Sequence, residues 1–119
     1  MLDLNIPCTT LTHLDAVISL NKVQYISLAY QKKVPKIIMQ TAKEEYISKI
    51  TGSLESLEIL FAPFGFIRVD SGVMVNINHF SHFEKDGYSQ LFCFAGSTKK
   101  VVCSRAGYAK VKHAIENTT

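Results

Sequence analysis

Short runs of β-branched and aromatic residues, separated by polar turns, recur along most of the chain and favour a β-rich fold. The clearest run is VQYISLAY, in which successive side chains alternate between the two faces that a strand presents. We predict strands at residues 23–30 and 36–41, joined by a polar turn at 31–35 in which Pro35 acts as a breaker. Together these segments form a hairpin with a basic tip.

Residues 41–61 fit two assignments. Thr41 and Glu44 have the spacing of a capping box, which would begin a helix, whereas alternation over residues 45–50 favours a strand. We predict the strand at 45–50. A short helix is predicted at 53–61, because a serine N-cap precedes apolar residues that share one helical face.

The second half of the chain carries turn signals at short intervals. Ser71-Gly72 separates two apolar runs, and Asp86-Gly87 is a strong hairpin signal. Ser104 is a suitable N-cap for a terminal amphipathic helix. The strands predicted here are 66–69, 73–77, 80–84, 88–94 and 100–103. The chain is therefore predicted to be mainly β, with antiparallel sheets and two short α-helices.

Length and charge narrow the class of protein further. A chain of 119 residues is the size of one domain. Residues 1–80 carry seven basic and seven acidic side chains, whereas residues 81–119 carry six basic and three acidic ones, so the net charge of +3 arises in the last third. This distribution is compatible with a polyanionic partner. No apolar run approaches the roughly 20 residues needed to span a bilayer, and no membrane association is expected.

The three cysteines indicate a reducing compartment. Their odd number and the lack of a Cys-x-x-Cys pair argue against a disulfide framework or a zinc ribbon, so a cytoplasmic location is expected. Cys93 and Cys103 lie on the two arms of one predicted hairpin and are expected to be near neighbours. Two buried thiols are the favoured interpretation, with a redox switch as the alternative.

No catalytic or metal-binding motif stands out, and neither an enzyme nor a cofactor is expected. His79, His82 and Glu84 could suggest metal ligands. Residues three apart on a strand point to opposite faces, however, so no metal site is predicted there. Paired acids, a nucleophile motif and a phosphate-binding glycine loop are missing from the sequence. Two adjacent helices, which a helix-turn-helix would need, are not predicted.

Several segments resemble the LytTR family of bacterial DNA-binding domains. Residues 66–77, FIRVDSGVMVNI, are similar to the central motif of that family, and residues 101–115, VVCSRAGYAKVKHAI, resemble its closing S-R motif and C-terminal helix. Upstream, VQYIS at 23–27 resembles the opening strand. The features follow in the family's order over about residues 17–115.

This resemblance implies an elongated stack of antiparallel sheets that binds double-stranded DNA through loops inserted into successive major grooves. Residues 17–117 would form the DNA-binding domain, after an N-terminal extension at 1–16. The implied function is sequence-specific transcription regulation. Binding of a second copy at direct-repeat sites, and control by a partner sensor or receiver protein, are further expectations. The alternative is a LytTR-like domain with weak DNA binding that acts through protein–protein interaction.

The resemblance also suggests DNA-contacting residues. Arg105 matches the arginine of the S-R motif and follows the predicted cap at Ser104, where it could present two parallel donors to a guanine. Ser71 matches the groove-entering position of the second motif, where relatives commonly carry a basic residue or asparagine. Asp70 beside it would repel phosphates. The alternatives are an arginine paired with a nearby carboxylate, and an ordinary turn at Asp70-Ser71.

Lysines supply candidate phosphate contacts. Lys32, Lys33 and Lys36 flank the tip of the first hairpin, where the family places a third DNA-contacting loop, although a merely solubilising turn would look the same. Lys99 and Lys100 are weaker candidates. Asn76 is predicted to be structural, satisfying backbone groups in the turn after its strand.

Overall fold

The computed structural model describes residues 3–117, and ten strands with two α-helices make up most of it. In chain order the elements are β1 (Asn5–Thr10), β2 (Asp15–Ser19), β3 (Tyr25–Gln31), β4 (Val34–Gln40), β5 (Glu45–Ser48), α1 (Leu54–Phe61), β6 (Phe66–Asp70), β7 (Val73–Asn76), β8 (Phe80–Asp86), β9 (Ser89–Phe94), β10 (Lys100–Cys103) and α2 (Arg105–Glu116). The predicted mainly β fold with two helices is confirmed.

The strands form two antiparallel sheets. The larger sheet has seven strands in the order β2-β1-β5-β4-β3-β7-β6, and the smaller has three in the order β10-β9-β8. Every strand pair in both sheets is antiparallel. The molecule measures 37 × 35 × 27 Å along its principal axes.

Two hydrophobic cores hold the sheets and helices together. The first lies between the seven-stranded sheet and α1, and the second joins β6 and β7 to the small sheet and α2. Aromatic rings dominate the second core. Tyr25 stacks on Phe94 with ring centroids 5.4 Å apart, and Phe92 meets Phe80 edge-on with centroids 5.0 Å apart. This packing fixes the small sheet against the large one.

The first hairpin is tighter than predicted. Its turn contains only Lys32 and Lys33, with φ values of 51° and 67°, so both residues are left-handed as in a two-residue hairpin turn of the I′ type. Pro35 is part of β4, opposite Tyr30, and the prediction of a breaker at this position was wrong. Pro35 is tolerated because β5 pairs only with the last part of β4, so this stretch of β4 behaves as an edge.

The N-terminal strands were not predicted from the sequence. β1 pairs with both β2 and β5, and Ile6 and Cys8 on β1 are completely buried. Residues 1–16, described above only as an extension, thus contribute core side chains to the large sheet. Alternation of Ile6 and Cys8 with polar neighbours was the available signal, and Pro7 between them obscured it.

The two helices begin at their predicted caps. The hydroxyl of Ser53 accepts a hydrogen bond from the Ser56 N–H at 3.1 Å, and α1 follows. Thr41 and Glu44 do not begin a helix. They close a turn in which Glu44 N–H donates to Thr41 Oγ1 at 3.0 Å, so the strand assignment for β5 is the correct one.

Candidate nucleic-acid interface

The β3–β4 turn and the β6–β7 turn lie at the same end of the large sheet. The N–H of Leu28 on β3 donates to the carbonyl of Gly72 at 2.9 Å, which sets the β6–β7 turn beside β3. β3 continues for three more residues, to Gln31, and therefore extends about 10 Å past that turn at ~3.3 Å per residue. The Lys32–Lys33 tip thus projects beyond the turn at Ser71.

The third loop, between β10 and α2, is attached to the end of β6. Ser104 donates two hydrogen bonds to the Val69 carbonyl, from its N–H at 2.8 Å and from its hydroxyl at 3.0 Å. The same hydroxyl accepts the N–H of Gly107 at 3.0 Å and caps the helix. Gly107 lies so close to Val69 that an added Cβ would stand 2.1 Å from the Val69 oxygen.

These contacts gather residues from three parts of the sequence at one edge. Because Val69 directly precedes Asp70, fixing Ser104 to Val69 brings Arg105 beside the Asp70-Ser71 turn. We use the term loop edge for this set, which consists of Lys32, Lys33, Asp70, Ser71 and Arg105.

Arg105 has the free donors that DNA recognition requires. It is the first residue of α2, its side chain is exposed, and within residues 3–117 it makes no ion pair and no hydrogen bond through its guanidinium group. Among these residues, Arg105 is therefore not paired with a carboxylate, which was the alternative interpretation. Arg105 shares a small cleft of about 220 Å³ with Gln90 and Tyr88.

Tyr88 was not selected from the sequence. It follows the Asp86-Gly87 turn and is fully exposed, with its ring on the same side of the molecule as Arg105. An aromatic residue placed directly after a hairpin signal was the only available hint. Exposed tyrosines combine a flat apolar face with a polar tip, which suits contact with a partner.

The Asp70-Ser71 turn is locally stabilised. Oδ1 of Asp70 accepts the N–H of the next residue, Ser71, at 2.8 Å, so the Asp70 side chain bonds the backbone of its own turn. Both side chains are exposed at the surface. The carboxylate thus contributes negative charge at the centre of the loop edge, between the lysine tip and Arg105.

The lysines of the first hairpin are exposed and strained. Lys32 and Lys33 make no ion pair among the residues that the structure describes, so both ammonium groups are available. A left-handed backbone costs a residue with a Cβ about 1–2 kcal/mol. Lys36 lies three residues along β4, opposite Ala29, and is half-buried.

The other two lysines do not belong to this edge. Lys99 lines a surface depression with Gln40 and Lys43, at the end of β4 farthest from the hairpin tip. Lys100 forms an ion pair with Glu84, with 2.7 Å between Nζ and Oε1. The structure therefore brings together Arg105, Ser71 and the hairpin lysines, and it separates Lys99 and Lys100 from them.

The cysteines of the small sheet are not adjacent. Cys93 pairs across the sheet with Lys100 and Cys103 pairs with Gln90, three register positions away, or roughly 10 Å. A disulfide needs Cα atoms about 4.4–6.8 Å apart, so the expectation that these cysteines are near neighbours was wrong. Both thiols are buried, and burial raises the pKa of Cys103 to about 11.

A different group of polar side chains lies on the outer face of the small sheet. Nε2 of His82 is 2.9 Å from Oε2 of Glu84, and the side-chain donor and acceptor atoms of His82, Glu84 and Cys93 all lie within 4.8 Å of one another. Hydrogen bonds from Lys100 and then from His82 lower the pKa of Glu84 to about 2. His79 is elsewhere, with its Nε2 2.6 Å from the carbonyl of Asn21.

Comparisons with known proteins agree with the architecture. The family described as the LytTr DNA-binding domain matches residues 15–116. Among solved structures, the chain is similar to the LytTr DNA-binding domain of a Bacillus cereus protein described as a methyl-accepting/DNA response regulator. That match has a TM-score of 0.72 and 19% identity, and it covers 93% of this chain and 95% of the other. A search of curated proteins found no match. Over the described part of the chain, neither helix is long and apolar enough to cross a membrane.

Proposed function

Because this chain belongs to the LytTR DNA-binding domain family, we propose that it regulates transcription by reading a specific sequence in double-stranded DNA through its loop edge. The observation that carries this proposal is the attachment of Ser104 to Val69, which brings Arg105, unpaired among residues 3–117, beside the β6–β7 turn. A recognition helix is not needed, because the exposed groups at this edge belong to loops and to a helix start.

We expect the loop edge to make two kinds of DNA contact, one to base edges and one to phosphates. Arg105 would give sequence preference, because a guanidinium group can donate to O6 and N7 of one guanine. Lys32 and Lys33, with Lys36 behind them, would contact phosphates, which supply affinity without sequence information. Ser71 would reach one further groove position with its hydroxyl. Lys99 and Lys100 remain candidates only for a distant stretch of backbone.

The dimensions of the molecule support contact with more than one groove. The two larger dimensions of the molecule, 37 Å and 35 Å, are similar to the spacing of about 34 Å between successive major grooves on one side of B-DNA. The hairpin tip extends past the β6–β7 turn, so the loops can enter DNA at different places along its axis. We propose that two copies occupy adjacent direct repeats, and that a sensor or receiver protein controls their access.

A second function, binding of a protein partner with weak DNA affinity, also has an observation in its favour. Asp70 places a carboxylate within the loop edge, and the β1–β2 hairpin exposes Leu11, Leu14 and Val17 far from that edge in the strand order. Exposed apolar side chains grouped on an edge hairpin are typical of protein contacts. This alternative predicts that DNA binding is feeble even at low salt.

Selection from randomised duplexes separates the two functions. The chain is incubated with a pool of random double-stranded DNA at two salt concentrations, and bound duplexes are sequenced. DNA-dependent regulation predicts an enriched motif, with affinity that falls as salt rises. Lack of enrichment at the lower salt concentration would overturn the proposal and favour the protein-binding alternative.

A further inference from the structure

We propose that His82, Glu84 and Cys93 form a binding site for one divalent cation of the zinc class on the outer face of the small sheet. This site lies away from Arg105, because Cys93 is three residues along β9 from Gln90, which lines the Arg105 cleft. The three side chains offer nitrogen, oxygen and sulfur ligands, and their donor atoms already lie within 4.8 Å of one another. A sulfur ligand favours zinc or cobalt over magnesium or calcium.

A β-bulge brings the histidine to the cysteine. Phe80 pairs with Phe94 and His82 pairs with Cys93, so Ser81 is an extra residue in β8. If the ladder continued from Phe80 without a bulge, Ser81 would lie opposite Cys93 and His82 would point to the core face, because successive residues alternate. The bulge therefore puts His82 and Cys93 on one face, and Glu84 joins them two positions along β8.

The distances between the three donor atoms need only a small adjustment to fit a tetrahedral zinc site. Ligand–zinc lengths of about 2.0–2.3 Å in a tetrahedral site place neighbouring donor atoms roughly 3.3–3.6 Å apart. Nε2 of His82 and Oε2 of Glu84 are 2.9 Å apart, so they must separate slightly, and the widest pair must approach by about 1 Å. His82 and Glu84 lie at the surface, where their side chains can move by this amount.

Both surface ligands have partners that would orient them. Oε1 of Glu84 is held by Lys100 Nζ at 2.7 Å, which leaves Oε2 toward His82 and the site. The Ser81 hydroxyl lies 2.9 Å from Nδ1 of His82 and can accept a hydrogen bond from Nδ1–H, so that Nε2 is free to bind a metal. Such outer contacts fix the ring orientation and tautomer of metal-binding histidines.

The charges and protons balance. Glu84 contributes a carboxylate, which already forms an ion pair with the Lys100 ammonium group at 2.7 Å. On binding, the metal displaces the thiol proton of Cys93 to solvent and the proton of His82 moves from Nε2 to Nδ1. One thiolate and one carboxylate then neutralise the dication. Water completes the fourth position, because three protein ligands leave a tetrahedral site open.

Cobalt provides a direct spectroscopic test. The reduced chain is titrated with Co²⁺, and absorbance in the near ultraviolet is followed, where thiolate-to-cobalt charge transfer appears. We expect saturation at one Co²⁺ per chain, and loss of the band when Zn²⁺ is added. The absence of a saturable charge-transfer band at millimolar Co²⁺ would overturn the proposal.

Matched variants assign the ligands. Cys93→Ser should abolish the band, whereas Cys103→Ser, on the next strand, should retain it. His82→Gln should weaken Co²⁺ binding at least tenfold, whereas His113→Gln on α2 should not. Because the His82 side chain is more than half exposed, its replacement tests the site even if Cys93→Ser does not fold. Unchanged binding in His82→Gln would contradict the assignment.

Discussion

The carbonyl oxygen of Val69 accepts two hydrogen bonds from Ser104, one from its N–H and one from its hydroxyl. This contact joins the end of β6 to the start of α2. Val69 precedes the Asp70-Ser71 turn and Ser104 precedes Arg105, so one backbone oxygen sets the spacing between two candidate DNA-contacting loops. Changes at this junction should affect DNA binding as well as stability.

Gly107→Ala should be strongly destabilising. The new Cβ would lie 2.1 Å from the Val69 oxygen and 2.5 Å from two further backbone atoms, so α2 must move away from β6. We expect a loss of about 2–4 kcal/mol in the free energy of unfolding, measured by chemical denaturation. Gly72→Ala is the control, since no atom lies within 4 Å of its added Cβ. Equal effects of the two substitutions would contradict this packing.

Ser104→Ala should lower both stability and DNA affinity. It removes the cap of α2 and one of the two bonds to Val69, and the loss of a serine cap costs about 0.5–2 kcal/mol. Ser53→Ala removes the cap of α1, which has no role at the loop edge. Thermal melts should show similar destabilisation for the two variants. DNA binding should weaken only for Ser104→Ala, and a parallel loss in Ser53→Ala would count against the proposed interface.

Replacement of Lys32-Lys33 by Asn-Gly should stabilise the fold and weaken DNA binding. Asn-Gly suits the left-handed backbone of this turn, so stability should rise by about 1 kcal/mol. Loss of two phosphate contacts should reduce the slope of log affinity against log salt by about 2. Lys43→Gln, an exposed lysine just past the end of β4 opposite the hairpin tip, is the control. An unchanged salt slope in the Asn-Gly variant would remove these lysines from the interface.

Arg105→Ala should change specificity more than general affinity. If Arg105 contacts one base pair, its loss should relax selection at a single position and cost about 1–3 kcal/mol against the preferred base. Lys33→Ala should weaken binding to all duplexes alike. Motif selection with each variant distinguishes the two roles. An unaltered motif for Arg105→Ala would show that the base contact is made elsewhere.

The thiols of Cys8 and Cys103 should resist alkylation in the native state. Burial raises the pKa of both thiols, to about 11 for Cys103, so both are protonated at pH 7. Because the thiolate is the reactive form, labelling by iodoacetamide at pH 7 should need unfolding, and labelling should accelerate as the pH rises. Rapid labelling of Cys103 in the folded chain would contradict its burial.

Much of the fold was predictable because it is encoded locally. Alternating apolar residues predicted β3 and most later strands, and serine caps predicted both helices, since each signal lies within a few residues. Asn76 also proved structural, as predicted, because its side chain donates to the Val23 carbonyl at 3.0 Å and accepts from Asn78 N–H. The strands β1 and β2 escaped prediction, because a short alternation interrupted by proline is a weak signal.

The sequence by itself therefore determined β3 and most later strands, the helix caps and the family to which the chain belongs. Tertiary structure alone decided which polar side chains meet. Val69 and Ser104 are 35 residues apart, and the bulge at Ser81 decides whether His82 faces Cys93 or the core. Lys100 is paired with Glu84 only because β8, β9 and β10 adopt this register. Such contacts depend on strand register and on how sheets pack. If the pairing of one strand shifted by one residue, every side chain of that strand would turn to the opposite face of the sheet.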